Sequence, residues 1–170
     1  HLCKTIPDAT NDTVFNAVET WVSMTMGGAL ARETGRFIAE QRKNFDSSRV
    51  ESKQSHDYVS YVDKECERMI VSRLKEILPQ AGFITEEKTI GQDDGSKELY
   101  WIVDPLDGTT NFIHDLAPYS VSIALRDSKD LLLGVVYEVT RDELYSAAKG
   151  QGAYLNDRAI KVSPLSDLDQ

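Results

Sequence analysis

The chain is short of cysteine, of positive charge and of long apolar runs, and each shortage closes off a class of protein. Two cysteines, Cys3 and Cys66, in 170 residues cannot build a disulfide framework and lack the paired spacing of a structural zinc site. They read as reduced thiols, with Cys66 facing the core from a helix. Lys and Arg number 19 against 28 Asp and Glu, a net charge of -9. Nucleic acids and anionic membranes are bound through clustered basic side chains, so neither is expected as a main partner. An acidic chain that handles phosphate needs cations. No apolar run approaches the ~20 residues of a spanning helix, and the first residues lack a basic segment followed by an apolar one. A cytoplasmic protein is the expectation. With 41% hydrophobic and 28% charged residues, and neither internal repeat nor low-complexity segment, residues 1–170 read as a single domain.

Apolar periodicity supplies the elements. Val14, Val18, Trp21 and Val22, then Leu30, Thr34, Phe37, Ile38 and Phe45 fall at helical spacing, as one long helix or two meeting at Gly27-Gly28. Trp21 and Phe37 are expected in the core. Ser47 to Asp57 is polar, carries Lys53 and reads as a loop, followed by a short strand over Tyr58 to Val62. A second helix follows Asp63, its plausible N-cap, with Cys66, Met69, Ile70, Leu74, Ile77 and Leu78 as its apolar stripe and Pro79 and Gly82 beyond its end. Phe83 to Thr85 and Tyr100 to Val103 are expected strands, separated by an exposed connection over Lys88 to Glu98. Alternation at Val121, Ile123 and Leu125, then Leu131 to Val139 and Leu144 to Ala147, predicts antiparallel strands. A last hairpin turns at Asn156-Asp157, between Ala153 to Leu155 and Ala159 to Val162. The fold class is α+β: an antiparallel sheet flanked by two long helices.

The chemistry concentrates where strands end in acids. Glu86 and Glu87 follow the Phe83 strand as Asp104 and Asp107 follow the Tyr100 strand; neighbouring strands running the same way would bring these carboxylates together. Pro105 is expected to stop the ladder, and Gly108 to let the backbone approach a ligand closely. Clustered carboxylates raise one another's pKa unless a cation neutralises them. Mg²⁺ suits oxygen donors and keeps positions open for water and phosphate, whereas zinc prefers sets of His and Cys. Gly108, Thr109 and Thr110 can present backbone N–H groups to a phosphate, and a helical turn over Thr110 to Ile113 would help. The Thr109 hydroxyl could orient a water, with Asp63 accepting a hydrogen bond from that hydroxyl to complete a relay. Taken singly, each residue has a plainer use: Asp63 as a helix cap, Glu86-Glu87 as a solvated turn, Asp104-Pro-Leu-Asp-Gly as an ordinary turn. Lys53 reads as a surface lysine and His114 as a hydrogen-bonded structural residue.

Together these residues resemble the inositol monophosphatase family of Mg²⁺-dependent, lithium-sensitive phosphatases. Trp101-Ile-Val-Asp-Pro-Leu-Asp-Gly-Thr-Thr-Asn-Phe-Ile-His114 is similar to that family's most specific motif. The likeness extends through Asp57-Tyr-Val-Ser-Tyr-Val-Asp63, Phe83-Ile-Thr-Glu-Glu87, Val121-Ser-Ile123, Gly134-Val-Val-Tyr137 and Lys149-Gly-Gln-Gly-Ala-153, and runs from about Val14 to Val162. The resemblance implies that Glu86, Asp104, the Leu106 carbonyl and Asp107 hold the metal, with two or three Mg²⁺ per complete site. Glu86, Leu106, Asp107, Gly108 and Thr109 would contact the substrate. Glu86, Asp63 and Thr109 would be catalytic, the latter two by positioning a metal-activated water. Lys53 matches a basic residue often found before the Asp57 position. The substrate implied is inositol monophosphate or a similar sugar or polyol phosphate, and the assembly a homodimer. Asp-Gly-Thr-Lys of phosphoadenosine-nucleotide phosphatases and Asp-Gly-Ser-Ser of fructose bisphosphatases differ from Thr110-Asn111, although fructose-1,6-bisphosphatase activity occurs within the branch. Thr85 stands where the family usually has Gly. The family's second α/β half, with its Trp-Asp motif, is missing before Gln170, so the likeness is to the amino-terminal half of a layered α/β sandwich. The alternative is a catalytically incomplete or regulatory metal-binding module.

Overall fold

A computed structural model describes residues 17–45, 51–54, 57–59, 61–91 and 95–164, with side chains described in 24–45, 61–91 and 95–164. Val14, Trp21 and Cys3 therefore lie outside the described side chains. Helix α1 spans Ala17–Lys43, the short strands β1 and β2 span Glu51–Gln54 and Asp57–Val59, and helix α2 spans Tyr61–Ile77. Strand β3 (Gly82–Thr85), β4 (Tyr100–Asp107) and the five-residue helix α3 (Thr109–Ile113) carry the acidic segments. The meander β5 (Ser120–Arg126), β6 (Leu131–Glu138), β7 (Glu143–Ala148), β8 (Gly152–Leu155) and β9 (Arg158–Ile160) follows. Strands β3 to β9 form one seven-stranded sheet in chain order, antiparallel throughout except for the parallel β3–β4 pair.

Alternation decides which face is buried. Trp101 pairs with Leu125 and that with Leu133, Val103 with Ile123 and that with Val135, and Val121 with Tyr137. All of these side chains are buried. They meet Leu30, Ala31 and Ile38 of α1 and Val62, Cys66, Ile70, Val71 and Leu74 of α2 in one apolar core. Residues one position along face the other way, and Ile84, Val136 and Tyr145 are exposed there. Phe37 packs at the margin of the core, half-buried. No helix among the described residues is long and apolar enough to cross a membrane.

Helix α1 runs unbroken through Gly27 and Gly28, because its glycines are points of close approach and not a break. A Cβ on Gly28 would come within 3.0 Å of Leu144, and one on Gly35 within 2.2 Å of the Tyr137 ring. Gly35→Ala should therefore destabilise the chain by about 1–3 kcal/mol through overpacking, despite the better helix propensity of alanine; urea unfolding midpoints measure this, and an unchanged midpoint would contradict the close approach.

Three local expectations are corrected. Part of the polar 47–57 stretch is strand, because β1 pairs with β2 in a small hairpin of its own. The strand expected through Val62 stops at Val59 and α2 begins at Tyr61, so Asp63 lies inside the first helical turn and is not its cap. Pro105 does not end β4: the strand continues to Asp107, with a register shift between Asp104 and Asp107 that admits one extra residue. A bulge is where a sheet tolerates proline, since the missing N–H falls outside the ladder.

Candidate metal and phosphate site

The parallel pairing of β3 with β4 aligns Thr85 with Val103, and the Glu86 N–H extends it to Val103 O at 3.3 Å. Both strands thus deliver their acids to the same end of the sheet. Glu86, Asp104, Leu106, Asp107, Gly108, Thr109, Thr110 and Asn111 line a cleft of about 230 Å³ there. The bulge at Pro105 turns the chain so that Asp104 and Asp107 can both face this cleft. Glu87 does not line it. His114 is exposed at the end of α3 and does not line it either.

Asp104 sits in an environment that strongly disfavours its charged form. Its Oδ1 is buried without a hydrogen-bond partner among the described residues. Burial, then a hydrogen bond shared with Glu86, then the charges of Glu86 and Asp107 push its carboxyl up to about 8, with the Leu106 backbone pulling slightly the other way. At neutral pH and without a cation, Asp104 therefore retains its proton. Low dielectric and like charge produce this state, and a divalent cation relieves both. No three His, Cys, Asp or Glu side chains among the described residues already surround one point. Mg²⁺ does not require such a cage, because it binds through one or two carboxylates and keeps several waters. The buried, unpartnered Asp104 oxygen and the all-oxygen donor set fit that ion.

Next to the acids stands a hydroxyl with its proton assigned. Thr109 Oγ1 lies 2.7 Å from Asp63 Oδ1 and 3.0 Å from Leu106 O. The shorter contact is to the ionisable acceptor, to which the hydroxyl donates more strongly. Asp63 is buried, 1% exposed, and it reaches Thr109 from the first turn of α2. Gly108, at φ +90, occupies the left-handed region, and a Cβ there would meet Pro118 O at 3.1 Å and Tyr119 at 3.4 Å. Only glycine suits this turn. Asn111 Nδ2 donates to Pro118 O at 2.7 Å, while the buried Phe112 packs edge-on against Phe45 and Tyr119. The short helix is thereby held to the start of β5.

Two contributors escape a sequence reading. Asn111 lies in the motif, but its bond to Pro118 depends on the path of the chain after α3. Glu67 is fully buried on α2 and binds the turn that follows Glu86. Its only signal is position, one turn after Asp63 on the same inward arc as Cys66 and Ile70. Cys66 itself is a buried free thiol, pushed up by burial and then by Asp63 and Glu65, and is inert for chemistry.

An α+β sheet with acids gathered at the end of one parallel strand pair, beside a glycine turn, is the arrangement of an inositol monophosphatase-like phosphatase fold. The chain belongs to the inositol monophosphatase family, whose family model matches residues 21–170. Among curated relatives, Nus factor SuhB of Vibrio cholerae is 41% identical over 140 residues, covering 81% of this chain and 51% of that protein. The extragenic suppressor protein suhB of Bartonella henselae superposes with a TM-score of 0.77 at 36% identity, covering 85% of this chain and 55% of its own. Inositol monophosphatase II of Staphylococcus aureus gives 0.70 and 32%, covering 86% and 52%, and SaIMPase-II has been solved with inositol monophosphate and with 2'AMP bound. The chain spans about half the length of the curated relatives it matches.

Proposed function

We propose that this chain carries the metal and phosphate site of a Mg²⁺-dependent phosphomonoesterase acting on inositol monophosphate or a similar sugar or polyol phosphate. The observation that carries the reading is the Asp63–Thr109 hydrogen bond at the edge of the cleft that joins Glu86, Asp104 and Asp107. Glu86, Asp104, Asp107 and the Leu106 carbonyl would hold Mg²⁺, with two or three ions in the complete site. When bound, Mg²⁺ supplies the charge that acidifies a water and offsets the leaving alkoxide. Thr109, whose hydroxyl donates its hydrogen bond to Asp63, uses a lone pair to accept a hydrogen bond from the attacking water and so orients it. Gly108 and Thr109 present backbone N–H groups to the phosphate oxygens, and Glu86 shares in activating the water. Residues 1–170 act as the amino-terminal unit of a longer cytoplasmic, homodimeric enzyme whose second α/β unit completes the pocket for the alcohol. Binding of inositol monophosphate by SaIMPase-II supports that substrate class, and its 2'AMP complex keeps nucleotides among the candidates.

A second reading is a metal-binding module that acts through a partner, and the name Nus factor borne by 41% identical relatives favours it. Phosphate release from inositol monophosphate, fructose 1,6-bisphosphate and a phosphoadenosine nucleotide separates the two. The chain, a form extended to the length of its relatives, and Asp104→Asn in each are compared. Mg²⁺-dependent release that Asp104→Asn removes supports the enzyme. Equal background release from all of them removes it.

A further inference from the structure

Glu67 places a carboxylate at 0% exposure on the inner face of α2. Such a group is rarely buried without a counter-charge, yet it forms no ion pair with a Lys, Arg or His among the described residues. Three donors from one turn converge on it instead. The Glu87 N–H donates to Oε2 at 2.6 Å, and the Thr89 N–H and hydroxyl donate to Oε1 at 2.6 and 2.7 Å. These are short, charge-assisted hydrogen bonds. Lys88, between them at φ +54, bends the backbone around the carboxylate.

The turn begins at Glu86. Its N–H is tied to Val103 O in the sheet, and the residue after it is tied to Glu67, so the backbone that aims Glu86 is gripped from both sides. Beyond Thr89 the chain is exposed at Ile90 and Gly91, with the Gly91 N–H donating to Lys88 O at 3.2 Å. A group that only filled space here would be apolar, because burying a charge is unfavourable unless its hydrogen bonds are needed. Resting on the reading in which Glu86 holds Mg²⁺, we infer that Glu67 is a positioning residue for the metal site. It does not line the cleft; it acts by fixing turn 86–89 and, through it, the direction of Glu86 toward Asp104.

Titration calorimetry of Mg²⁺ into the metal-free full chain tests this. Glu67→Gln keeps the size but puts an NH₂ against a backbone N–H, so one end of the grip is lost. Mg²⁺ affinity is expected to fall about 10–100-fold, as for other groups that orient a ligand from behind. Amide exchange at Glu87 and Thr89 should quicken while α2 stays protected. A folded Glu67→Gln chain with unchanged Mg²⁺ affinity overturns the inference. If that variant does not fold, Thr89→Val removes one donor alone and should weaken Mg²⁺ about threefold or more; unchanged affinity there overturns it equally. A wild-type chain that binds no Mg²⁺ removes the functional reading and this inference together. Mg²⁺ binding that Glu67→Gln weakens, without phosphate release by the extended wild type, removes only the catalytic reading.

Discussion

Asp104→Asn is expected to abolish Mg²⁺-dependent phosphate release in the extended form while making the metal-free chain more stable above neutral pH. The two effects have opposite signs because one group serves two states. With metal, the Asp104 carboxylate supplies charge to the ion, and Asn cannot; losing a group that stabilises developing charge costs roughly 10²–10³-fold in turnover. Without metal, the same carboxylate is buried beside Glu86 and Asp107, and each deprotonation above pH 8 adds like charge to a half-buried cleft. Asn has nearly the same shape and no charge, so it relieves that repulsion. Phosphate release and urea midpoints at pH 9 in a chelator, measured on the same variant, give the comparison. An Asp104→Asn chain that is both inactive and destabilised would mean that the side chain serves packing and not the ion.

The second large effect is a proton displaced by Mg²⁺. The folded Asp104 carboxyl stands at about 8 against an ordinary 3.8, so between those values the native chain holds a proton that the unfolded chain has lost. Stability from this group is therefore present at low pH and falls as pH rises from about 4 to about 8, by on the order of 2–3 kcal/mol after allowing for partial solvent contact. Mg²⁺ requires the deprotonated acid, so its binding releases the proton. Its apparent affinity should rise about tenfold per pH unit across pH 6 to 7.5 and level off above 8. Calorimetry in buffers of different ionisation enthalpy counts the proton directly. A pH-independent Mg²⁺ affinity would show that Asp104 is already ionised in the free chain.

Much of this was legible because apolar alternation survives in most of the strands. Val121, Ile123 and Leu125 announce β5, and the pair Asn156-Asp157 marks a turn that the structure places at positive φ. Convergence of Glu86 with Asp104 was conditional on β3 and β4 running parallel, which no local pattern specifies; it follows from the connection between Thr85 and Tyr100, which returns the chain to the Gly82 end of β3 before β4 begins. What escaped was non-local or disguised. Glu-Ser-Lys-Gln looks like loop until its partner Asp-Tyr-Val is known. Pro105 argues against a strand unless a bulge is anticipated, and Asp63 imitates a cap because the polar-to-apolar change at α2 comes two residues later than the first helical turn. Glu67 has the composition of a surface residue and declares itself only through its burial.

The sheet from β4 to β9 is laid down in chain order, each strand beside the one before it. The bonds that close the cleft instead join residues far apart in sequence, as Asp63 with Thr109 across 46 positions and Glu67 with Thr89 across 22. Loop closure over longer spans is entropically harder and slower. The meander is thus expected to form early in folding, with α2 docking later to join Asp63 to Thr109. In pulse-labelled hydrogen exchange, β5 to β7 amides would gain protection before Glu87 and Thr89; simultaneous protection would mean that cleft and scaffold assemble in a single event.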